Sequence, residues 1–437
     1  MGGNSAINAG LFFQPPASDW DLYFPIGWKN SDMQSAITKL HAKQPSTDNP
    51  STDGKRYLQS GYNVARTWLV QNAGYSEVAL NNNLANHTKT KVFGHPVYSY
   101  QGGQRSGPVE TYLQSALSRT NFAFRTGTRV IRVIRNGATA TGVEVSINGS
   151  TTSTFINLNA GGRVILSGGA LLSPQMLMWS GIGDPAVLQN LAANGHLSLP
   201  SSQWINNTAV GDKVFDNPNT FIELSSSAIA SYSYSYDTPI AADRDLYLQS
   251  RAGPYSFAGQ TSAFWDYIQQ GTARIGCQGT IGINGFADYT QNGTVTLNVY
   301  GTSGLRSFGK VGLNSNGVPV PSSNFYSNNL DAQAIATFIY NIFRALPPGL
   351  TPLNIAASST VAQIVTYITT PSSYTLGNVN HWSSSCRFGT CVDVNTKVIG
   401  TNNIFVVDAS ISAPLTTNPA LGTMIIAERA IERILAL

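Results

Sequence analysis

Residues 403–408 read Asn-Ile-Phe-Val-Val-Asp, and residues 418–434 read Asn-Pro-Ala-Leu-Gly-Thr-Met-Ile-Ile-Ala-Glu-Arg-Ala-Ile-Glu-Arg-Ile. The first segment is a short apolar run, which is typical of a strand buried in a parallel sheet. The second predicts a helix that Asn418 caps and Pro419 begins. Its apolar residues recur at helical spacing and predict a buried face: Leu421, Met424, Ile425, Ala430, Ile431 and Ile434. A strand, a loop and a capped helix in this order are typical of a doubly wound α/β domain.

The region before residue 200 supplies more elements of the same class. Residues 128–147 predict a β-hairpin, because two β-rich runs flank the turn signal Asn136-Gly137. A short apolar strand is expected at 163–166. We expect a helix over 173–180 with Pro174 in its first turn, where the missing N–H of proline costs no hydrogen bond.

The middle of the chain has a different pattern. Residues 199–374 are rich in Ser, Tyr, Asn and Pro, and runs such as 294–300 alternate between apolar and polar residues, which predicts an antiparallel sheet with long loops. Helical spacing of apolar residues predicts a helix over 331–346. Residues 19–118 are expected to be mainly helical and irregular, with a helix over 109–118.

These elements predict two domains. A discontinuous nucleotide-binding domain of the doubly wound α/β type is expected to comprise residues 1–15, 125–195 and 394–437. A substrate domain built on the antiparallel sheet is expected to comprise 16–124 and 196–393.

One expected element is missing from the nucleotide-binding domain. Such a domain should open with a strand and Gly-x-Gly-x-x-Gly, whose glycines let the backbone approach a pyrophosphate. The pattern does not occur in the 437 residues. We therefore expect an incomplete domain that lacks its first βαβ unit and exposes apolar surface.

Composition excludes two classes of partner and favours secretion. Charged residues make up 11% of the chain, against about 25% in an average soluble domain, and the net charge of +4 is not clustered. No basic tract predicts nucleic-acid binding, and no apolar run is long enough to predict a membrane span. The N-terminus does not read as a signal peptide. Four Asn-x-Ser/Thr triplets nevertheless favour a secreted glycoprotein: Asn86, Asn148, Asn206 and Asn292.

The chain has three cysteines. Cys386 and Cys391 are close enough in sequence for a disulfide in an oxidising compartment, and two free thiols are the alternative. No second Cys/His pair lies nearby, so no metal site is predicted. Cys277 is expected to be a buried, small apolar residue.

The motif Asn380-His381-Trp382, followed by Thr417-Asn418-Pro419, carries the chemistry. Histidine can accept a proton near neutral pH, and an asparagine at a helix start can hold an oxygen in the positive field of that helix. Together they predict a site that removes a proton from an alcohol while a hydride leaves for a cofactor. The alternatives are a hydrogen-bonded core histidine for His381 and a plain helix cap for Asn418.

Several segments together resemble the glucose-methanol-choline (GMC) oxidoreductases. Residues 169–183 are similar to the second signature of that family, and residues 1–10 to its Gly-Gly-x-Ser-x-x-Asn loop. Within the family, the flavin domain of the fungal cellobiose dehydrogenases is the most similar, on three further segments: 51–54, 105–113 and 395–398.

The resemblance implies a fungal FAD-dependent dehydrogenase that oxidises a hydroxyl of a cellobiose-like oligosaccharide. His381 would accept the proton, Asn418 would bind the reacting hydroxyl, Asn380 would contact the sugar, and hydride would pass to flavin N5. Other positions would contact FAD: Gly2, Gly3, Asn4, Ser5, Asn8, Ala9, Val130, Trp382, Asp408, Ala409 and Pro419.

Two alternatives stay open at the level of sequence. One is an alcohol or sugar oxidase of the same family, since the electron acceptor (quinone, cytochrome or oxygen) is not readable from these motifs. The other is a truncated or inactive homologue that binds no FAD, because the Gly-x-Gly-x-x-Gly unit is absent. Val379 stands where cellobiose enzymes tend to have a polar residue, and the cytochrome domain that precedes their flavin domain is absent too.

Overall fold

The structure is a computed structural model that describes residues 2–81 and 88–437. Its α-helices are α1 Ala17–Tyr23, α2 Asn30–Lys43, α3 Ser60–Arg66, α4 Gln114–Leu117, α5 Gly169–Trp179, α6 Pro185–Ala193, α7 Ala241–Ser250, α8 Asn329–Phe343, α9 Val361–Thr369 and α10 Pro419–Leu435. Short 3-10 or π turns occupy Gly3–Ala6, Thr67–Asn72, Val109–Leu113, Ser201–Gln203, Pro254–Ser256 and Ala409–Ile411.

The strands are mostly short. They are β1 Ser76–Glu77, β2 Val92–Gly94, β3 Tyr100–Gln101, β4 Gln104–Arg105, β5 Thr128–Asn136, β6 Thr139–Ile147, β7 Ser153–Asn157, β8 Val164–Leu166, β9 Ile182–Gly183, β10 Ile205–Asn206, β11 Asp212–Val214, β12 Pro218–Ser225, β13 Gln260–Gln270, β14 Ala273–Gly282, β15 Thr294–Gly301, β16 Gly309–Leu313, β17 Pro319–Pro321, β18 Thr351–Pro352, β19 Thr375–Asn378 and β20 Ile404–Val406.

A largely antiparallel sheet dominates the middle of the chain, which confirms the sequence prediction for this region. Its strand order is β1-β2-β13-β14-β15-β12-β18, and β19 pairs with β12. One face is apolar and packs on α8 and α9, with Ile222, Ile281 and Leu297 in the core. Because side chains alternate along a strand, the residues between them face the other way. That opposite face turns a polar row toward the C-terminal part of the chain, and this row positions the site described below.

A parallel pair of strands, β8 and β20, forms the centre of a second core. Ile404 pairs with Val164 and Val406 with Leu166, while α5 and α10 pack on the same core. The strand residue Ile165 points away from it and is 41% exposed. The hairpin is also confirmed: β5 and β6 meet at a turn in which Gly137 has φ of 55°.

Helix α5 corrects one prediction. It begins at Gly169, four residues before the expected start, so Pro174 lies inside the helix and not in its first turn. A proline cannot donate to the carbonyl one turn earlier, which here belongs to Ala170. Ser385 compensates, because its Oγ donates a 2.6 Å hydrogen bond to the Ala170 carbonyl. A side chain distant in sequence therefore permits the proline.

Helices α1 and α2 pack beside α10 in the core of the parallel strands, with Trp20 and Met33 completely buried there. These residues fall within the 16–124 segment, whose assignment to the substrate domain stays a prediction. The other domain boundaries stay a prediction.

The cysteines divide as follows. Cys386 and Cys391 form a disulfide with Cα atoms 4.9 Å apart, and both are buried. Cys277 is a free, buried thiol on β14, and burial raises its pKa. Among the described residues, no helix has the length and apolarity needed to cross a membrane.

Candidate active site

His381 and Asn418 lie side by side, although 37 residues separate them. Asn418 Nδ2 is 3.3 Å from His381 Nε2. His381 follows β19, and Asn418 immediately precedes α10. The structure therefore brings together the two residues to which the sequence assigned the chemistry.

Asn418 does not cap α10 with its side chain, which corrects the prediction. It occupies the N-cap position, but no capping hydrogen bond forms. Its Oδ1 instead accepts a 2.7 Å hydrogen bond from Nε2 of the buried Gln278 on β14, and the Tyr300 hydroxyl lies 3.5 Å away. The carboxamide is thus turned toward His381 and not toward the helix N–H groups.

The backbone that carries His381 is held by a single carboxylate. Asp216, just before β12, accepts hydrogen bonds from the N–H of His381 at 2.8 Å and the N–H of Asn380 at 3.1 Å. Burial raises the pKa of Asp216 to about 6. Asn380 is exposed and has φ of 65°, a left-handed conformation that asparagine tolerates better than most residues. Its contact with a sugar stays a prediction.

The imidazole ring of His381 is held by Asn217, the residue that follows Asp216. Asn217 Oδ1 lies 2.9 Å from His381 Nδ1, and Asn217 Nδ2 donates a 2.6 Å hydrogen bond to the carbonyl of Gly301 on β15. The ring edge faces Tyr300, with centroids 5.9 Å apart. Burial lowers the pKa of His381 to about 3, so the imidazole is neutral at physiological pH and can accept a proton.

A polar row on the sheet lines the site. Asn219 on β12, Tyr300 on β15 and Gln278 on β14 are in register across the sheet. Asn298 lies two residues before Tyr300 on β15 and therefore on the same face. Three buried carboxamide oxygens in this row accept no hydrogen bond from any described residue: Asn219 Oδ1, Gln278 Oε1 and Asn298 Oδ1. All three oxygens are shielded from solvent in this structure, so a hydroxyl-bearing ligand would reach them only after a side-chain movement.

Arg105 holds the glycine-rich loop 2–9, which is predicted to contact the flavin. The guanidinium donates to the carbonyl oxygens of Ser5 and Asn8, and at 2.6 Å to Asn8 Oδ1. The rest of the loop is largely exposed: Ile7 is 82% exposed, and the space beside the Cα of Gly3 is open. Met1 lies outside the described residues. No contact between this loop and His381 is recorded in the described structure, so the roles of Gly2, Gly3, Asn4, Ser5, Asn8 and Ala9 stay predictions.

The carboxylate of Asp408 is hydrogen-bonded within the protein, and the contact of Asp408 with FAD stays a prediction. One carboxylate oxygen accepts from Gly169 N and Ser173 Oγ, and the other accepts from the N–H and hydroxyl of Ser410. The first oxygen therefore joins the segment after β20 to the start of α5, and the second caps the short turn Ala409–Ile411. Contacts of Ala409, Val130, Trp382 and Pro419 with FAD stay predictions.

Sequence reasoning missed Asp216, Asn217, Gln278 and Asp19. Asp19 is buried on α1 and accepts hydrogen bonds from the N–H and hydroxyl of Thr416, both at 2.7 Å. A large polar residue in the middle of a mostly apolar strand, as Gln278 is on β14, is a sequence signal that could have drawn attention to this group.

The comparisons with known proteins identify the family of the chain. Two profiles described as GMC oxidoreductase match the chain, at residues 1–197 and 297–427. This chain belongs to the GMC oxidoreductase family, whose members are FAD-dependent flavoproteins.

Similar proteins include human mitochondrial choline dehydrogenase, 29% identical over 231 residues, which are 51% of this chain and 36% of that protein. The GMC family oxidoreductase mfmG of Annulohypoxylon moriforme is 25% identical over 350 residues, or 73% of this chain and 57% of that protein. The chain thus matches well under two thirds of the length of these relatives. A crystal structure of formate oxidase superposes with a TM-score of 0.77 at 16% identity, covering 100% of this chain and 83% of the other, which confirms the two-domain α/β fold.

The described residues fit part of an FAD molecule. The exposed loop over Gly3 offers open backbone, and the carboxyl ends of β8 and β20 lie side by side, where nucleotides bind in open α/β sheets. The glycine pattern that would receive the pyrophosphate is absent from the sequence.

Proposed function

We propose that this chain is part of an FAD-dependent dehydrogenase that oxidises a hydroxyl group of a small carbohydrate, of the cellobiose-like class. The observation that carries this proposal is the pairing of a neutral imidazole with a carboxamide, His381 Nε2 with Asn418 Nδ2 at 3.3 Å. One group can accept a proton from an alcohol, and the other can donate a hydrogen bond to the same alcohol oxygen.

The chain's own residues perform the proton half of the reaction. The substrate hydroxyl enters between the two side chains, so that Nε2 of His381 takes its proton and Nδ2 of Asn418 holds its oxygen. General-base catalysis of this kind typically contributes about 10² to 10⁴ in rate. Bound FAD would supply the hydride acceptor, held by the 2–9 loop, Val130, Trp382, Ala409 and Pro419.

The polar row supports a polyhydroxylated substrate over a simple alcohol. Asn219, Gln278 and Asn298 offer carboxamide oxygens that no described residue uses. A site that is built to hydrogen-bond several hydroxyl groups discriminates strongly against ligands that lack them, because its buried acceptors are then left unpaired.

The test begins with the visible spectrum of the purified full chain after incubation with FAD. A flavin-bearing chain is then mixed without air with cellobiose, glucose and an aryl alcohol, and bleaching is followed. His381→Ala at equal flavin content should slow bleaching by cellobiose by at least about 10². His196→Ala is the matched control, since His196 only stacks on Trp179 and contacts the Ser315 carbonyl.

Each other outcome has a definite reading. An unchanged rate in His381→Ala contradicts the proposal. Bleaching by the aryl alcohol alone favours the alcohol-oxidising alternative, and rapid reoxidation by oxygen favours an oxidase. A chain that stays colourless with FAD supports the homologue that binds no cofactor.

We also propose a secreted glycoprotein. The triplet asparagines Asn148, Asn206 and Asn292 are all exposed, and the disulfide suits an oxidising compartment. Asn86 lies outside the described residues. Expression through a fungal secretory route should give a chain whose mass falls on treatment with an N-glycosidase. A chain of unchanged mass would count against this proposal.

A further inference from the structure

A continuous row of hydrogen-bonding groups runs through both proposed catalytic residues and ends on the sheet at each side. From β14, Gln278 Nε2 donates to Asn418 Oδ1 at 2.7 Å, and Asn418 Nδ2 lies 3.3 Å from His381 Nε2. On the other side, His381 Nδ1 lies 2.9 Å from Asn217 Oδ1, and Asn217 Nδ2 donates to the Gly301 carbonyl on β15 at 2.6 Å.

Most of the hydrogen bonds in this row could run in either direction, with donors and acceptors exchanged. Both ring nitrogens of a neutral histidine can exchange their donor and acceptor roles, and a carboxamide can exchange its oxygen and nitrogen by a half turn. If Gln278, Asn418, His381 and Asn217 all reversed together, each contact among the four would again join a donor to an acceptor.

The Gly301 carbonyl removes this freedom, because a main-chain oxygen can only accept. Reversal would set Asn217 Oδ1 against that carbonyl oxygen at hydrogen-bond distance, with no proton between them. Asn217 must therefore present its nitrogen to Gly301 and its oxygen to the ring. The ring must then carry its proton on Nδ1, which leaves the unprotonated Nε2 as an acceptor facing Asn418 Nδ2.

We propose that Asn217 is the positioning residue that sets the tautomer of His381, and that the main-chain carbonyl of Gly301 sets the direction of Asn217. This inference rests on the proposed function for its purpose, since only a ring without a proton on Nε2 can accept one from the substrate. Gln278 completes the arrangement from the far end, because its Nε2 keeps Oδ1 of Asn418 away from the ring.

The tautomer can be measured without flavin or substrate. The full chain is labelled with ¹⁵N-histidine, and long-range proton–nitrogen correlations assign the protonated nitrogen of each ring, with His381→Gln identifying the His381 signals. In the wild-type chain we expect His381 to be protonated on Nδ1. In Asn217→Ala the acceptor is gone, and we expect a mixture of tautomers or the Nε2-protonated form.

Two further variants separate positioning from folding. Asn217→Asp keeps an acceptor at Nδ1, so it should restore the Nδ1-protonated ring and raise the pH at which His381 titrates, because a nearby carboxylate favours the imidazolium. The other titratable groups facing His381 are Asp216 and Tyr300, which are the same in all variants. Asn207→Ala is the matched control, since Asn207 is also buried and donates to main-chain carbonyls, those of Cys391 and Ile399.

The proposal is overturned if wild-type His381 is protonated on Nε2, or if Asn217→Ala retains the Nδ1-protonated ring as the folded Asn207→Ala control does. These results are independent of catalysis. A chain that binds no flavin would leave the tautomer measurement intact, whereas an active enzyme with the wrong tautomer would refute this inference alone.

Discussion

The buried carboxylate of Asp19 holds the N–H and the hydroxyl of Thr416, two residues before Asn418. The same Thr416 receives the indole N–H of Trp265 at its carbonyl oxygen, and its hydroxyl lies 2.7 Å from Ser303 Oγ. The loop that carries Asn418 is therefore fixed from the first helix on one side and from the sheet on the other.

The pH dependence of stability should report on Asp19. Burial raises the pKa of Asp19 to about 7 from 3.8, so the folded chain keeps a proton that the unfolded chain releases. The stabilisation is complete below the unfolded pKa and is lost as pH rises through about 7. We expect Asp19→Asn to flatten the fall in stability between about pH 4 and 7, by up to about 1.4 kcal/mol per pH unit.

Denaturant titrations at several pH values would measure this slope. Part of it should survive in the variant, because burial also raises the pKa of Asp216 to about 6 and of Glu223 to about 7. Asp21→Asn, which removes an exposed carboxyl from the same helix, controls for the change in net charge. Equal slopes in the wild type and Asp19→Asn would show that Asp19 is ionised in the fold.

Asn418→Asp should test the role of the carboxamide nitrogen. The aspartate can still accept from Gln278, but it cannot donate to the substrate oxygen, and its charge favours the imidazolium form of His381. We expect flavin reduction to fall at least about tenfold at neutral pH. Because Asn418 is buried, a carboxylate there also costs stability, so denaturant unfolding at the same pH must show that the variant is folded when the rate is measured. Reduction at the wild-type rate would refute a role for the carboxamide nitrogen.

Ser385→Ala should destabilise the chain through the proline of α5. The variant leaves the buried carbonyl of Ala170 without its donor, and Pro174 cannot replace it. We expect a loss of about 1–3 kcal/mol in the free energy of unfolding, measured by urea denaturation. Ser383→Ala is the matched control, because the Ser383 hydroxyl has only a 3.4 Å contact with Ser384. Equal losses in both variants would mean that the Ala170 carbonyl does not depend on Ser385.

The disulfide should contribute modestly. Cys386 and Cys391 close a loop of few residues, and a loop of this size corresponds to about 2 kcal/mol of unfolded-state entropy. Cys386→Ser/Cys391→Ser should lower the unfolding midpoint accordingly, and a reductant should lower the wild-type midpoint but leave that of the double variant unchanged. Equal unfolding midpoints for the oxidised wild type and the double variant, in which Cys277 is the remaining cysteine, would contradict this contribution.

The sequence predicted best where local pattern determines structure. Helix α10, the β5–β6 hairpin, α8 and the antiparallel sheet each carry a period or turn signal within one segment. Pro174 misled the prediction of α5 because Ser385, the donor to the Ala170 carbonyl, lies 215 residues from Ala170 in the sequence. The exposed Ile431 belongs to the predicted apolar face of α10, since spacing alone does not show where the neighbouring elements stop.

The residues of the candidate site show the same difference between local signals and long-range contacts. His381 and Asn418 were readable because motifs surround them, and the structure places them together. Asn217 and Gln278 were not readable, because their importance comes only from contacts across 164 and 140 residues of sequence. The cap assigned to Asn418 failed for a related reason: a helix start is a local signal, but Gln278 competes for the side chain from a different strand.

Asp216 and Asn217 are consecutive. Asp216 accepts a hydrogen bond from the main chain of His381, and Asn217 contacts its ring. The two residues before β12 therefore fix both the backbone and the side chain of His381. A substitution elsewhere in the antiparallel sheet can be absorbed by repacking. Adding or deleting one residue between Val214 and Pro218 would instead move the side chains of Asp216 and Asn217 away from the main chain and the ring of His381. This short stretch should tolerate changes of length less than any of the exposed loops around it.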